Sequence, residues 1–285
     1  LFKFNELSFL LKDGMMISVV TLAGILVYQT DRIMTGILFS AQMVTYFSLS
    51  IRAPELIFRV INQIQNNFYP GLLSKKNTPE FNQHFTTYFS IINSICFIAF
   101  FLIVTFNKYF INLWVGPEYY LGDELLIYYS FFLLFFSLNL SNAVIIHAYN
   151  LLKSLAAYAT LEATMNVVLT IILGQKLGAE GIVLASLIAS SVLIWYFPYR
   201  ITKALHLSVR NYLKALLYPL LLNLLMYLLI SSIITYIDIK YFHNWFSFFL
   251  IVTIVGSLFL FINILLNKHI KQLLLPKVWS ILKAL

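Results

Sequence analysis

The stretch Arg52-Ala53-Pro54-Glu55-Leu56-Ile57-Phe58-Arg59 sets two arginines, a glutamate and a proline inside a run that otherwise has the composition of a membrane segment. Its surroundings decide the class. Of 285 residues only 11% are charged and 61% are hydrophobic, with 26 phenylalanines and 18 tyrosines, and mean hydropathy is +0.86. A water-soluble domain of that composition would leave much apolar surface in solvent, so the chain reads as an integral membrane protein. The apolar material recurs in segments of helix-spanning length, not in the roughly ten-residue alternating strands of an outer-membrane barrel. The expected fold is all-α, a polytopic membrane helix bundle of about eight transmembrane helices.

The spans fall at residues 14–35, 39–66, 83–107, 125–149, 157–174, 181–199, 215–236 and 245–266. The chain begins at Leu1 and no cleavable signal precedes the first span, which predicts a piece of something longer. The lone Cys96 forms no intrachain disulfide and is expected to pack in an apolar run.

Charge sets the expected orientation. With a cytoplasmic amino end, the cytoplasmic segments carry Lys3, Lys12, Lys75, Lys76, Lys153, Arg200, Lys203, Arg210, Lys214, Lys268, Lys271, Lys277 and Lys283. The opposite side has only Lys108, Lys176 and Lys240, beside Glu118, Asp123, Glu124, Glu180 and Asp238. This bias places both termini in the cytoplasm and accounts for the net charge of +8 without a nucleic-acid partner. Arg32, Arg52 and Arg59 remain, with Asp31, Glu55 and Glu162 to match them.

On a continuous second helix, Ser48, Arg52, Glu55, Arg59, Asn62 and Asn66 alternate at spacings of four and three and share one face. That face runs about 27 Å, nearly the depth of the hydrocarbon core. Its three charges cost about 8 to 10 kcal/mol to insert, against at most about 7 returned by the apolar residues of the same helix. Such a helix either packs in a bundle that pairs its charges or lines a path holding water and substrate. Glu55 is within reach of both Arg52 and Arg59, yet one carboxylate leaves one guanidinium over, which favours an anionic guest of phosphate-like geometry. The competing reading is a buried ionic knot that only fixes the bundle; the length of the stripe favours the substrate-facing one. Pro54 denies a hydrogen bond to the Ser50 carbonyl and predicts a kink, either hinge or static bend.

The first helix repeats the pattern more weakly through Thr21, Gly24, Tyr28, Asp31 and Thr35. Asp31 and Arg32, near its outer end, form either a coupling or gating pair or two solvated interface residues, with Tyr28 one turn away. Glu162, one turn into the fifth helix, is a candidate partner for the surplus arginine. The loop Tyr109–Gly122, YFINLWVGPEYYLG, reads as an aromatic segment at the headgroups. Pro70 and Gly71 are expected to end the second helix, and LGAEG, Leu177–Gly181, is a tight turn, not a phosphate loop. The histidines His84, His147, His206, His243 and His269 have no short metal-ligand spacing, and no nucleophile arrangement is visible. Catalytic residues, metal ligands and cofactors are therefore not assigned, and the identity of any coupling cation is open. Movement of a molecule is the better hypothesis than chemistry upon it.

Four phrases in order carry a resemblance: YQTDRIMTGILFSAQMVTYFSLSIR (Tyr28–Arg52), FYPGLLS (Phe68–Ser74), NLWVGPEYY (Asn112–Tyr120) and GAEGIVLASLIAS (Gly178–Ser190). Together they resemble the polysaccharide flippases, for O-antigen, capsule or exopolysaccharide, of the multidrug/oligosaccharidyl-lipid/polysaccharide exporter superfamily. The resemblance implies two lobes of six helices about a central cavity. Residues 1–205 then look like the second, C-terminal lobe, and 206–285 like an additional two-helix segment with a cytoplasmic tail. The N-terminal lobe of the same full-length protein is then a missing partner, and the fragment alone is expected to be inactive. It further implies alternating access in a bacterial cytoplasmic membrane, moving a polyprenyl-pyrophosphate-linked oligosaccharide among membrane lipids. Arg52 and Arg59 then hold pyrophosphate beside Glu55, Asn62 and Asn66 bind sugar, and Tyr28, Asp31, Arg32 and Pro54 serve gating or coupling. A cation-coupled drug exporter of the same superfamily, or a non-transporting membrane scaffold, are the alternatives.

Overall fold

The computed structural model describes residues 4–76, 78, 80–149, 151–205, 208–236, 244–267 and 271. Lys3, Asp238, Lys240, Lys268, Lys277, Lys283, His206, His243, His269 and most of the expected tail lie outside them. The described residues are helical throughout: α1 (Phe4–Leu38), α2 (Ala41–Ser50), α3 (Arg52–Leu73), α4 (Phe81–Trp114), a 3-10 turn (Pro117–Tyr119), α5 (Asp123–Ala148), α6 (Leu152–Leu177), α7 (Ala179–Leu205), α8 (Val209–Tyr236) and α9 (Trp245–Leu266). Seven of them, α1 and α4 through α9, are long and apolar enough to cross a bilayer. This is a multi-pass membrane protein.

The expected second span is the one that differs. Residues 39–66 form no continuous helix; α2 stops at Ser50, Ile51 takes φ −98° and ψ 5°, and α3 starts at Arg52. Pro54 supplies the reason, though not as a mid-helix kink. Placed in the first turn of α3, it needs no intrahelical acceptor for its missing N–H. The Ser50 side chain turns instead to the Leu121 N–H, 3.3 Å away. At its other end α3 runs through Pro70 to Leu73 rather than ending before it. The Ser40 hydroxyl caps α2, accepting from the Met43 N–H at 3.1 Å.

The chain forms two compact units, each discontinuous in sequence: residues 1–51 with 121–204, and 52–120 with 205–285. The first holds α1, α2, α5, α6 and α7. Small residues Ala23 and Ala163 let α1 and α6 approach closely, as lipid-embedded helices require. Gly178, at φ +72°, reverses the chain from α6 into α7. Gly181 passes against the Leu173 carbonyl with no room for a side chain.

The second unit, α3, α4, α8 and α9, is organised on α4. Its phenylalanines Phe85, Phe89, Phe97, Phe101 and Phe106 are buried, as is Cys96. Asparagines lock the helices in register. Asn93 donates to the Ala215 carbonyl at 3.1 Å, Asn263 donates to the Asn223 Oδ1 at 2.8 Å, and Asn267 donates to Ser90 and Ser94, each at 3.1 Å. Lipid cannot satisfy these amides, so pairing between helices is their only low-energy arrangement. By contrast α9 leaves Phe246, Phe249 and Phe261 exposed, a surface suited to acyl chains.

Candidate functional site

The α3 stripe is divided by the break and by rotation. Ser48 belongs to α2. Arg52, Arg59 and Asn66, spaced by sevens, are exposed, and Asn62 is half-buried. Glu55 points inward beside Pro54, Phe58, Ile61 and Gln65, at 2% exposure. Its carboxylate lies 4.0 Å from the Arg52 guanidinium, which is 44% exposed. Arg59 makes no ion pair among the described residues. Gln63 and Asn67 are also exposed, so the polar side of α3 is wider than the six-residue stripe. The arrangement is a helix about 33 Å long whose inner side packs and whose outer side offers two guanidinium forks among amides. Such a set suits a phosphate-bearing, sugar-bearing guest.

A second polar site is built in the first unit. Asp31, at 2% exposure on α1, accepts a hydrogen bond from the Ser186 hydroxyl of α7, and that hydroxyl accepts from the Asn166 amide of α6 at 2.6 Å. One turn along α7, Ser190 donates to Glu162 at 2.7 Å, while its carbonyl accepts from Asn139 of α5 at 2.9 Å. Asp31 Oδ2, Asn166 Oδ1, Thr170 Oγ1 and Asn139 Oδ1 are buried with no hydrogen-bond partner among the described residues. Oxygen-only donors, one or two carboxylates and unused lone pairs are what a hard cation of low charge requires. Among the described residues no group of three or more His, Cys, Asp or Glu side chains is placed to hold a metal ion.

Tyr28 stacks on Phe136 at 6.1 Å and Arg32 is half-buried, so neither projects into open solvent. Asp31 reaches toward α7. Glu162 sits almost three turns into α6, not one, because α6 begins at Leu152. The sequence reading missed Asn166, Thr170, Ser186 and Ser190 as site residues. The signal was present, since Glu162, Asn166 and Thr170 repeat every four residues, as do Ser186 and Ser190.

No protein-family model matches the chain, and no curated protein does. A solved structure does: the lipid II flippase MurJ, in an inward closed conformation, superposes with a TM-score of 0.63 over 88% of this chain at 20% identity. The fold resembles that of MurJ. The chain spans about half the length of the MurJ structure, 52% of it.

Proposed function

We propose that this chain works as one lobe of a flippase that carries a polyprenyl-pyrophosphate-linked oligosaccharide across a cytoplasmic membrane by alternating access, in the biosynthesis of a cell-surface polysaccharide. The observation that supports it most is α3: long enough to cross the bilayer, too polar to face lipid, and showing outward guanidinium groups of Arg52 and Arg59. The likeness to MurJ supports the same reading at the level of fold. A lipid-linked guest presents pyrophosphate and sugar at different depths, matched here by arginines at one end of α3 and Asn62 and Asn66 toward the other. Full-length protein reconstituted in vesicles should flip a fluorescent lipid-linked oligosaccharide saturably, and residues 1–285 alone should not. Saturable transport of a hydrophobic cation drug in place of the lipid-linked sugar would instead support the exporter reading.

The Asp31 cluster favours cation coupling of the same protein. The Asp31 carboxylate with neutral oxygens of Asn166 and Ser186, beside the Arg32 guanidinium, makes an oxygen set of low charge, which suits a monovalent cation such as Na+. Sodium at constant ionic strength should raise the thermal midpoint above that in choline, and Asp31→Asn should weaken this effect at least about tenfold, since even outer-shell ligands carry that much of a metal's affinity. Equal midpoints in sodium and choline for the unmodified protein would remove the cation from the mechanism.

Topology follows from charge. With α3 crossing, the count is eight and both ends share the cytoplasmic face. In intact cells, a cysteine placed at Glu118 should react with an impermeant reagent, and one at Lys75 should stay silent. Strong labelling at Lys75 would reverse the map.

A further inference from the structure

The second unit holds a cavity of about 610 Å³ between α4, α8 and the end of α9. It lies at the end that the charge distribution assigns to the cytoplasm, and it plays no part in the α3 stripe. Gln83 of α4 and Asn211 and Lys214 of α8, all three exposed, line it. Its floor is set by Ser90 and Asn267, both buried, and its rim by Tyr218 and Leu266. Among the described residues no acidic side chain lines it. The acid at the start of α4, Glu80, is turned to His84 at 3.5 Å.

Both α4 and α8 begin at this end of the unit; Glu80 is the N-cap of α4, and α8 has no acidic residue in its first turn. Arg210 and Lys214 stand in the first two turns of α8, where cations are repelled by the pole unless an anion is present. The opposing negative pole of α9 is already engaged. The Leu266 carbonyl accepts from the Tyr218 hydroxyl at 2.7 Å, and the Asn267 carbonyl accepts from the Lys271 N–H at 2.9 Å.

We infer that this cavity is a binding site for the phosphate headgroup of an anionic membrane lipid. Lys214 supplies the charge, Asn211 and Gln83 supply amide donors to the phosphate oxygens, and Tyr218 and Leu266 meet the glycerol and first methylenes. The volume suits a phosphodiester headgroup, and the site lies at the level where a bilayer lipid presents one. A bound lipid ties α8 and α9 to α4 at the end where their polar ladder finishes.

The test is thermal unfolding of the full-length protein in neutral detergent, titrated with phosphatidylglycerol, phosphatidylcholine or inorganic phosphate. Phosphatidylglycerol should raise the midpoint saturably by about 3 °C or more, with little change from the other two. Lys214→Gln should move the half-saturating lipid concentration up about tenfold, while Lys176→Gln leaves it in place. Gln83→Ala, on the opposite wall, should move it in the same direction and stands in should Lys214→Gln fold poorly. Equal shifts in phosphatidylglycerol and phosphatidylcholine would overturn the site, as would a wild-type half-saturating lipid concentration in both variants. An equal shift with inorganic phosphate would overturn the lipid as its occupant.

Discussion

Replacing Arg52 or Arg59 with glutamine in the full-length protein is expected to cut apparent affinity for a lipid-linked oligosaccharide by about ten- to a hundredfold, with little loss of folded protein. A charge-assisted hydrogen bond contributes roughly 1.5 to 3 kcal/mol, which sets that range. Both side chains are exposed on α3, so glutamine keeps a polar group in place and leaves the packed side of the helix untouched. Glu55→Gln should behave differently. Its carboxylate is buried at 2% exposure and faces Arg52 at 4.0 Å, so its loss should lower yield and thermal midpoint first. Arg52 is itself 44% exposed, and solvent screening makes that destabilisation smaller than for a fully buried pair. Were the arginines only bundle ties, the ranking would invert: the arginine variants would fold poorly and the survivors would flip normally. Flipping per folded molecule, measured beside unfolding with and without lipid-linked oligosaccharide, separates these outcomes. Unchanged activity and unchanged ligand stabilisation in both arginine variants would end the assignment.

Gly181→Ala should be among the most damaging single substitutions in the first unit. A Cβ there would fall inside the Leu173 carbonyl oxygen's van der Waals shell, 2.5 Å from its carbon and 2.9 Å from the Leu177 Cβ. The obstructing atoms include backbone, which cannot rotate aside, so the α6–α7 hairpin must open. Overpacking typically costs 1 to 3 kcal/mol where side chains can adjust, and about 3 kcal/mol or more is expected here. Gly178→Ala is the control. It meets nothing within 4 Å, so its whole cost is backbone: φ +72° with ψ −149° borders a region nearly restricted to glycine, about 1 to 3 kcal/mol. Thermal midpoints and monodisperse yield should fall further for Gly181, which adds a steric clash to backbone, and equal losses would show that the hairpin flexes freely.

The helices were legible because apolar runs of spanning length have one common solution in a bilayer, and seven of the eight expected spans are helices of that kind. The residues 39–66 reading failed at Ile51 because the three-and-four periodicity continues across the break, so pattern alone cannot show where the chain stops and restarts. Pro54 was the available clue, and its meaning depended on whether it fell inside a helix or in a first turn. Glu55 was placed on the arginine face by spacing, yet it lies at the edge of the stripe, where packing decides which way it turns. Asp31 stood out from the sequence as an intramembrane acid. Its partners did not, because Ser186 and Asn166 lie 155 and 135 positions away, and isolated Ser and Asn are common as helix-packing residues in membranes.

The interleaving of the two units bears on how the protein is made. The first unit is opened by α1 and α2 and waits for α5 to α7; the second is opened by α3 and α4 and waits for α8 and α9. At roughly 5 to 20 residues per second, the interval between finishing α3 at Leu73 and finishing α9 at Leu266 is about 10 to 40 s. Through that interval the helix least able to remain in lipid has α4 but not the rest of its unit. On the proposed eight-crossing topology, insertion of α3 is thus a task for whatever shelters nascent helices at the ribosome's exit into the membrane. A chain released after α7 would contain every segment of the first unit and only the opening half of the second.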